Sequence, residues 1–122
     1  MDNLFLLGQV VLGAYFTFSG LMHFVRAQDM AGWVASKKLP SALAGVYVSG
    51  AVLVLGGLGI MTQMYLPYAY GGLIAFLVAA SVLLHNFWAD TNEQAQTVNL
   101  INFQKNMGLA AALLMLLASS LS

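Results

Sequence analysis

Two histidines, His23 and His85, are the side chains of this 122-residue sequence best suited to exchanging a proton near neutral pH. Other polar residues surround them at helical spacing. Tyr15, Ser19, His23 and Arg26 fall on one stripe of a helix, and Ser81, His85 and Trp88 repeat the spacing of Ser19, His23 and Arg26. Farther along, Asn99, Asn102, Lys105 and Asn106 form one broad face. Polar side chains within apolar segments usually either pair with one another or carry function. The same residues fit metal chemistry poorly. No carboxylate stands at ligand spacing beside either histidine, and a lone histidine pair completes no closed zinc set. Haem held by both imidazoles would need facing helices and a roomy pocket, which the sequence does not indicate. With no cysteine, the chain has no thiol redox chemistry, thiolate metal site or iron–sulfur cluster of its own. Ser19 and Ser81 have no acid partner for a nucleophilic triad, and Gly56-Gly57 lies inside an apolar run, unlike a phosphate loop.

The elements that must position these residues are membrane helices. Hydrophobic residues make up 61% of the chain and charged ones 7%, against about 25% charged in an ordinary soluble domain. Eight charges cannot cover a water-soluble fold, and a formal net charge of zero leaves no footprint for nucleic acid. A span needs about 20 apolar residues, and four segments qualify: Leu4–Phe24, Ala42–Met61, Tyr68–Phe87 and Leu100–Leu121. Their apolar runs are continuous, without the alternation of a membrane barrel. The fold class expected is all-α, an integral membrane four-helix bundle forming a single domain over residues 1–122. The first segment lacks a basic leader region and a small-residue cleavage site, so it is expected to remain as a span.

Between the first two spans, Met30, Trp33 and Val34 share one helical face, which predicts a short interfacial helix. Pro40 suits the start of the second span and Pro67 that of the third. Asp90 and Glu93 have capping-box spacing, placing the start of the last helix near Thr91. Arg26, Lys37, Lys38 and Lys105 all fall toward one face of the membrane. The positive-inside rule assigns that face to the cytoplasm and both termini to the outside, as expected for a bacterial inner membrane. Every charge except Asp2 lies in that half, so any site is expected there.

Ordinary structural roles account for many of these residues as well. A histidine near a helix end can hydrogen-bond a carbonyl, Arg26 can snorkel to the interface, and Asn102 and Asn106 can bind neighbouring helices together. Lys105 lies deeper, and a buried pairing with Asp29, Asp90 or Glu93 is expected. Trp33 and Trp88 fit an aromatic belt. Gly45/Ser49 and Gly71/Ala75/Ala79 have the four-residue spacing of close helix contacts.

The segments FSGLMHF at Phe18–Phe24, KKLP at Lys37–Pro40, GAVLVLGGLGI at Gly50–Ile60, LLHNFW at Leu83–Trp88 and NFQKNMGL at Asn102–Leu109 resemble the DoxX family of small four-helix membrane proteins. They occur in the expected order over nearly the whole chain. The resemblance implies a polar signature at His23, His85, Trp88, Asn102, Lys105 and Asn106, and an association with membrane redox systems such as thiosulfate:quinone oxidoreduction. One departure stands out: where the family often carries a glutamate, three residues before the glycine pair, this chain has Leu53.

Two functions follow as expectations. The first is an accessory subunit of a larger membrane redox complex, with no cofactor of its own, contacting other subunits or further copies of itself. It presumes that so small a bundle has little interior room. The second is a quinone-binding component. Here His23 or His85 exchanges a proton, Lys105 and Asn106 donate to the carbonyls, and Trp88 stacks on the ring. The ligand-binding candidates are thus His23, Arg26, His85, Trp88, Asn102, Lys105 and Asn106. Transport would require at least a dimer, and no acidic residue within a span is present to couple protons.

Overall fold

The computed structural model describes residues 2–122. Its elements are α1 (Asp2–Val25), α2 (Ala27–Ser36), α3 (Ala42–Thr62), α4 (Leu66–Leu83), a 3-10 turn (Phe87–Ala89) and α5 (Glu93–Leu121). Among the described residues there is no strand. Four helical segments are long and apolar enough to cross a bilayer, so the all-α membrane bundle is the architecture of this chain. The short α2 connects the first two long helices and packs mainly on α3.

Glycines decide the tightest contact. A Cβ placed on Gly13 would lie 2.6 Å from the Gly57 carbonyl oxygen, and one on Gly20 would lie 2.7 Å from that of Gly50. Both pairs are seven residues apart on their own helices, two full turns, so they meet in antiparallel register along one seam. In lipid, where apolar surface gains little by leaving the solvent, such close backbone approach is what holds helices together. The α3–α4 connection is equally tight. Gln63 and Tyr65 take left-handed backbone angles (φ 58° and 53°), and the Met64 N–H donates to the Gly59 carbonyl at 2.9 Å. Tyr70, Leu73 and Leu77 of α4 then form the buried core with Phe16, Leu53, Ile60 and Leu113.

The structure corrects several local expectations. Pro40 lies outside α3, which starts at Ala42 behind a left-handed Ser41; Pro67 does open α4. The cap of α5 is Asn92, whose side chain accepts from the Ala95 N–H at 3.0 Å. Asp90 is engaged elsewhere, so no Asp90–Glu93 capping box forms. α4 ends at Leu83, short of the expected Phe87. His85 and Trp88 therefore lie beyond the helix and do not continue a stripe with Ser81. Gly45 and Gly71 form no close helix contact, since a Cβ on either would meet nothing within 4 Å.

Candidate functional site

Small residues make room where the helices would otherwise close. Gly45 and Ser49 of α3 and Ala79 and Ala80 of α4 line a cavity of about 620 Å³, with α2 lying over it through Met30, Trp33 and Val34. The expectation of a bundle with little interior room is thereby corrected. The volume lies within the roughly 300–1,000 Å³ typical of small-molecule sites. Phe16, Leu53 and Phe76 supply much of the apolar wall. Leu53, only 2% exposed, presents methyl groups to the cavity, at the position where the resemblance led to the expectation of a carboxylate.

The polar groups of the cavity are few and come from α1, α3, α5 and the connection after α4. His23, His85, Lys105 and Asn106 all line it, as do Ser19 and Ser49. His23 Nδ1 lies 2.8 Å from the Ser19 carbonyl oxygen, one turn back on its own helix. A carbonyl only accepts, so His23 carries its proton on Nδ1, and Nε2 is left with a free lone pair. His85 reaches the same state by another route. Its Nδ1 is 3.2 Å from Asn99 Oδ1, while Asn99 Nδ2 donates to Asp90 Oδ2 at 2.8 Å. An ionised carboxylate accepts only, which orients the Asn99 amide and makes His85 the donor. Lys37 completes the chain: its ammonium donates to Asn86 Oδ1 at 3.0 Å and lies 3.9 Å from Asp90 Oδ1. Asn99 is buried at 2% exposure, so this connection is sheltered from competing solvent. Both imidazoles, when neutral, thus hold their proton on Nδ1 and keep Nε2 unprotonated.

Of the seven candidates read from the sequence, the structure brings together His23, His85, Lys105 and Asn106. Arg26 lies apart, with an exposed side chain 3.7 Å from Asp29 on the next turn, a contact of little energetic weight. Trp88 is 55% exposed and packs edge-on against Phe87 and Phe103, outside the cavity. The aromatic lining comes instead from Trp33 and Phe76, with Tyr15, Phe16 and Phe18 of α1, and Phe76 meets the His23 ring edge-on at 5.9 Å. Asn102 donates to the Val98 carbonyl of its own helix and does not line the cavity. Lys105 forms no ion pair with Asp29, Asp90 or Glu93; those carboxylates that do pair take Arg26 and Lys37. Sequence reasoning missed the supporting roles of Asn99, Asp90 and Lys37. Asn99 stood on the polar face of α5, but nothing local linked it to His85. Among the described residues no group of three or more His, Asp or Glu side chains could hold a metal ion.

A helical membrane protein with an apolar cavity, polar at a few points, is the class that fold and site define. The sequence model of the DoxX family matches residues 4–86, and the chain belongs to that family. The match covers α1 through α4 and includes both histidines; α5, with Asn99, Lys105 and Asn106, lies beyond it. No curated protein and no solved structure matches the chain.

Proposed function

We propose that this DoxX-family protein binds a quinone-class aromatic head group in the cavity between α1, α3, α4 and α5. The observation carrying this reading is the pair of histidines lining one cavity, each with Nδ1 against an acceptor oxygen, an arrangement that favours the Nδ1–H tautomer and leaves Nε2 free. A free imidazole nitrogen accepts from the hydroxyl of a reduced head group and, once protonated, donates to the carbonyl of the oxidised one. The Lys105 ammonium and the Asn106 amide add donors for the carbonyl oxygens, and Trp33 and Phe76 give flat apolar surface. Oxidation of a bound quinol releases two protons and two electrons. In this reading the imidazoles take up the two protons, and the two electrons pass to a two-electron acceptor of the flavin class on another subunit. This is the second of the two functions expected from the sequence; as in the first, the chain would work with other subunits of a redox assembly. The positive-inside rule puts the cavity in the cytoplasmic half of the membrane.

Purified chain in lipid nanodiscs, free of partners, tests the reading. A tail-less benzoquinone should quench tryptophan fluorescence saturably, since Trp33 borders the cavity. The His23→Leu/His85→Leu double variant should bind at least about tenfold more weakly, the loss of one good hydrogen bond to a polar ligand. Linear, unsaturable quenching in the wild-type chain, or equal affinity in the double variant, would overturn it.

A further inference from the structure

The long helices form a ring with one side open. α1 packs on α3, α3 on α4 and α4 on α5, but α1 and α5 do not approach each other closely. The gap between them is a groove lined by Gly8, Val11, Leu12 and Tyr15 of α1 and by Lys105 and Leu109 of α5. Apart from Tyr15 and Lys105 its wall is apolar, so in a bilayer a hydrocarbon chain fills it at less cost than water. Tyr15 and Lys105 also line the head-group cavity, so groove and cavity adjoin at these two side chains. Lys105 sits at that junction and pairs with no carboxylate among the described residues. An unpaired ammonium facing lipid is costly, and an oxygen of a bound head group is the partner this position lacks.

We propose that the α1–α5 groove is the tail subsite of the cavity. It admits a lipid quinone laterally from the bilayer and holds the first part of its isoprenoid chain between Gly8, Val11, Leu12 and Leu109, with the head beyond Lys105. From Tyr15 to Gly8 the helix rises about 10 Å, enough to hold the start of a chain but not all of it. The proposal rests on the quinone reading above and adds to it a preference for tailed ligands, together with the position of the entrance.

Gly8 offers a clean test, because a Cβ there meets nothing within 4 Å. Gly8→Phe and Val11→Phe fill the groove from two positions, and Val10→Phe, on an exposed residue outside the groove, is the control. Binding of a tail-less dimethoxy-methyl-benzoquinone is compared with that of the same head carrying a two-isoprene tail, in identical nanodiscs. Partition of the tailed probe into the lipid then cancels between variants. Both groove variants should weaken the tailed probe by about tenfold, the scale of a steric conflict in a packed site. They should leave the tail-less probe unchanged, and Val10→Phe should alter neither. If the groove variants leave the tailed probe unaffected while wild-type chain binds both probes, the tail subsite falls and the head-group site stands. A parallel loss of both probes would also overturn it, since the substitutions would then act on the head site or the fold. Should Gly8→Phe convert a dimer to a monomer with tail affinity intact, the groove is an interface between copies and the proposal fails. Wild-type chain binding neither probe would overturn both readings.

Discussion

The α1–α3 pair and the α4–α5 pair each carry one histidine to the same cavity, but they fix it by different physics. In the first pair everything is local. His23 is held by a carbonyl of its own helix, and the helix is held by glycine seams that allow no slack. In the second pair the chain leaves the helix at Leu83, and His85 depends on Asn99 from α5, Asp90 from the connection and Lys37 from the end of α2. One half is rigid because its backbones touch. The other is held by polar groups from three elements meeting at one point, which makes it the half that a single side-chain substitution can undo.

Breaking the first pair should produce the largest effect. Gly57→Leu places a side chain where even a Cβ would lie 2.6 Å from the Gly13 carbonyl oxygen. Backbone cannot rotate away as a side chain can, so the helices must separate. A loss of about 3 kcal/mol or more is expected, at the upper end of overpacking costs. Thermal unfolding in mild detergent should show a large fall in midpoint, whereas Gly71→Ala, with open space around the new methyl, should leave it nearly unchanged. Similar midpoints for the two variants would mean that the glycine seam does not hold the pair.

Asn99→Leu tests the second pair with a smaller effect. It removes the acceptor of the His85 N–H and the donor to Asp90. Leaving buried polar groups unpaired costs about 1–3 kcal/mol, and the His85 proton is then free to move to Nε2. Nitrogen NMR of the imidazoles should show His85 shifting from the Nδ1–H form while His23 keeps it. Head-group affinity should fall about tenfold, as one free acceptor is lost. An unchanged His85 tautomer would show that Asn99 does not govern it.

The two pairs also differ in how far the sequence discloses them. Span lengths follow from the thickness of the bilayer, so α1 and α3 end within two residues of the expected limits, and the His23–Arg26 stripe follows from helical period alone. The end of α4 has no such signal. LLHNFWAD contains neither glycine nor proline, and the helix stops where both the Leu84 and His85 N–H groups turn to the Ala80 carbonyl and the following side chains find partners on α2 and α5. Those partners lie far along the chain, beyond the reach of any periodicity. The cavity was illegible for a related reason. Gly45 and Ala79 read as contact residues by spacing, and only the helix rotations determine that they border a space. Lys105 is similar: its depth was plain, but its lack of a carboxylate partner depends on where Asp90 and Asp29 are engaged.

The smallest expected effect sharpens the comparison most. Ser19 belongs to the polar stripe of α1, and its hydroxyl is the natural suspect for holding His23. The structure assigns that role to its backbone carbonyl, which survives any substitution that keeps the helix. Ser19→Ala should therefore leave His23 in the Nδ1–H form by NMR and shift stability by no more than about 0.5 kcal/mol, the usual range for a substitution that breaks no buried partnership. Head-group affinity should change by about twofold at most. Asn99→Leu and Ser19→Ala each alter one polar side chain near a histidine, yet only the first should move a proton. A tautomer shift at His23 in Ser19→Ala would mean that the hydroxyl holds this imidazole too, and that the two pairs differ less than their backbones suggest.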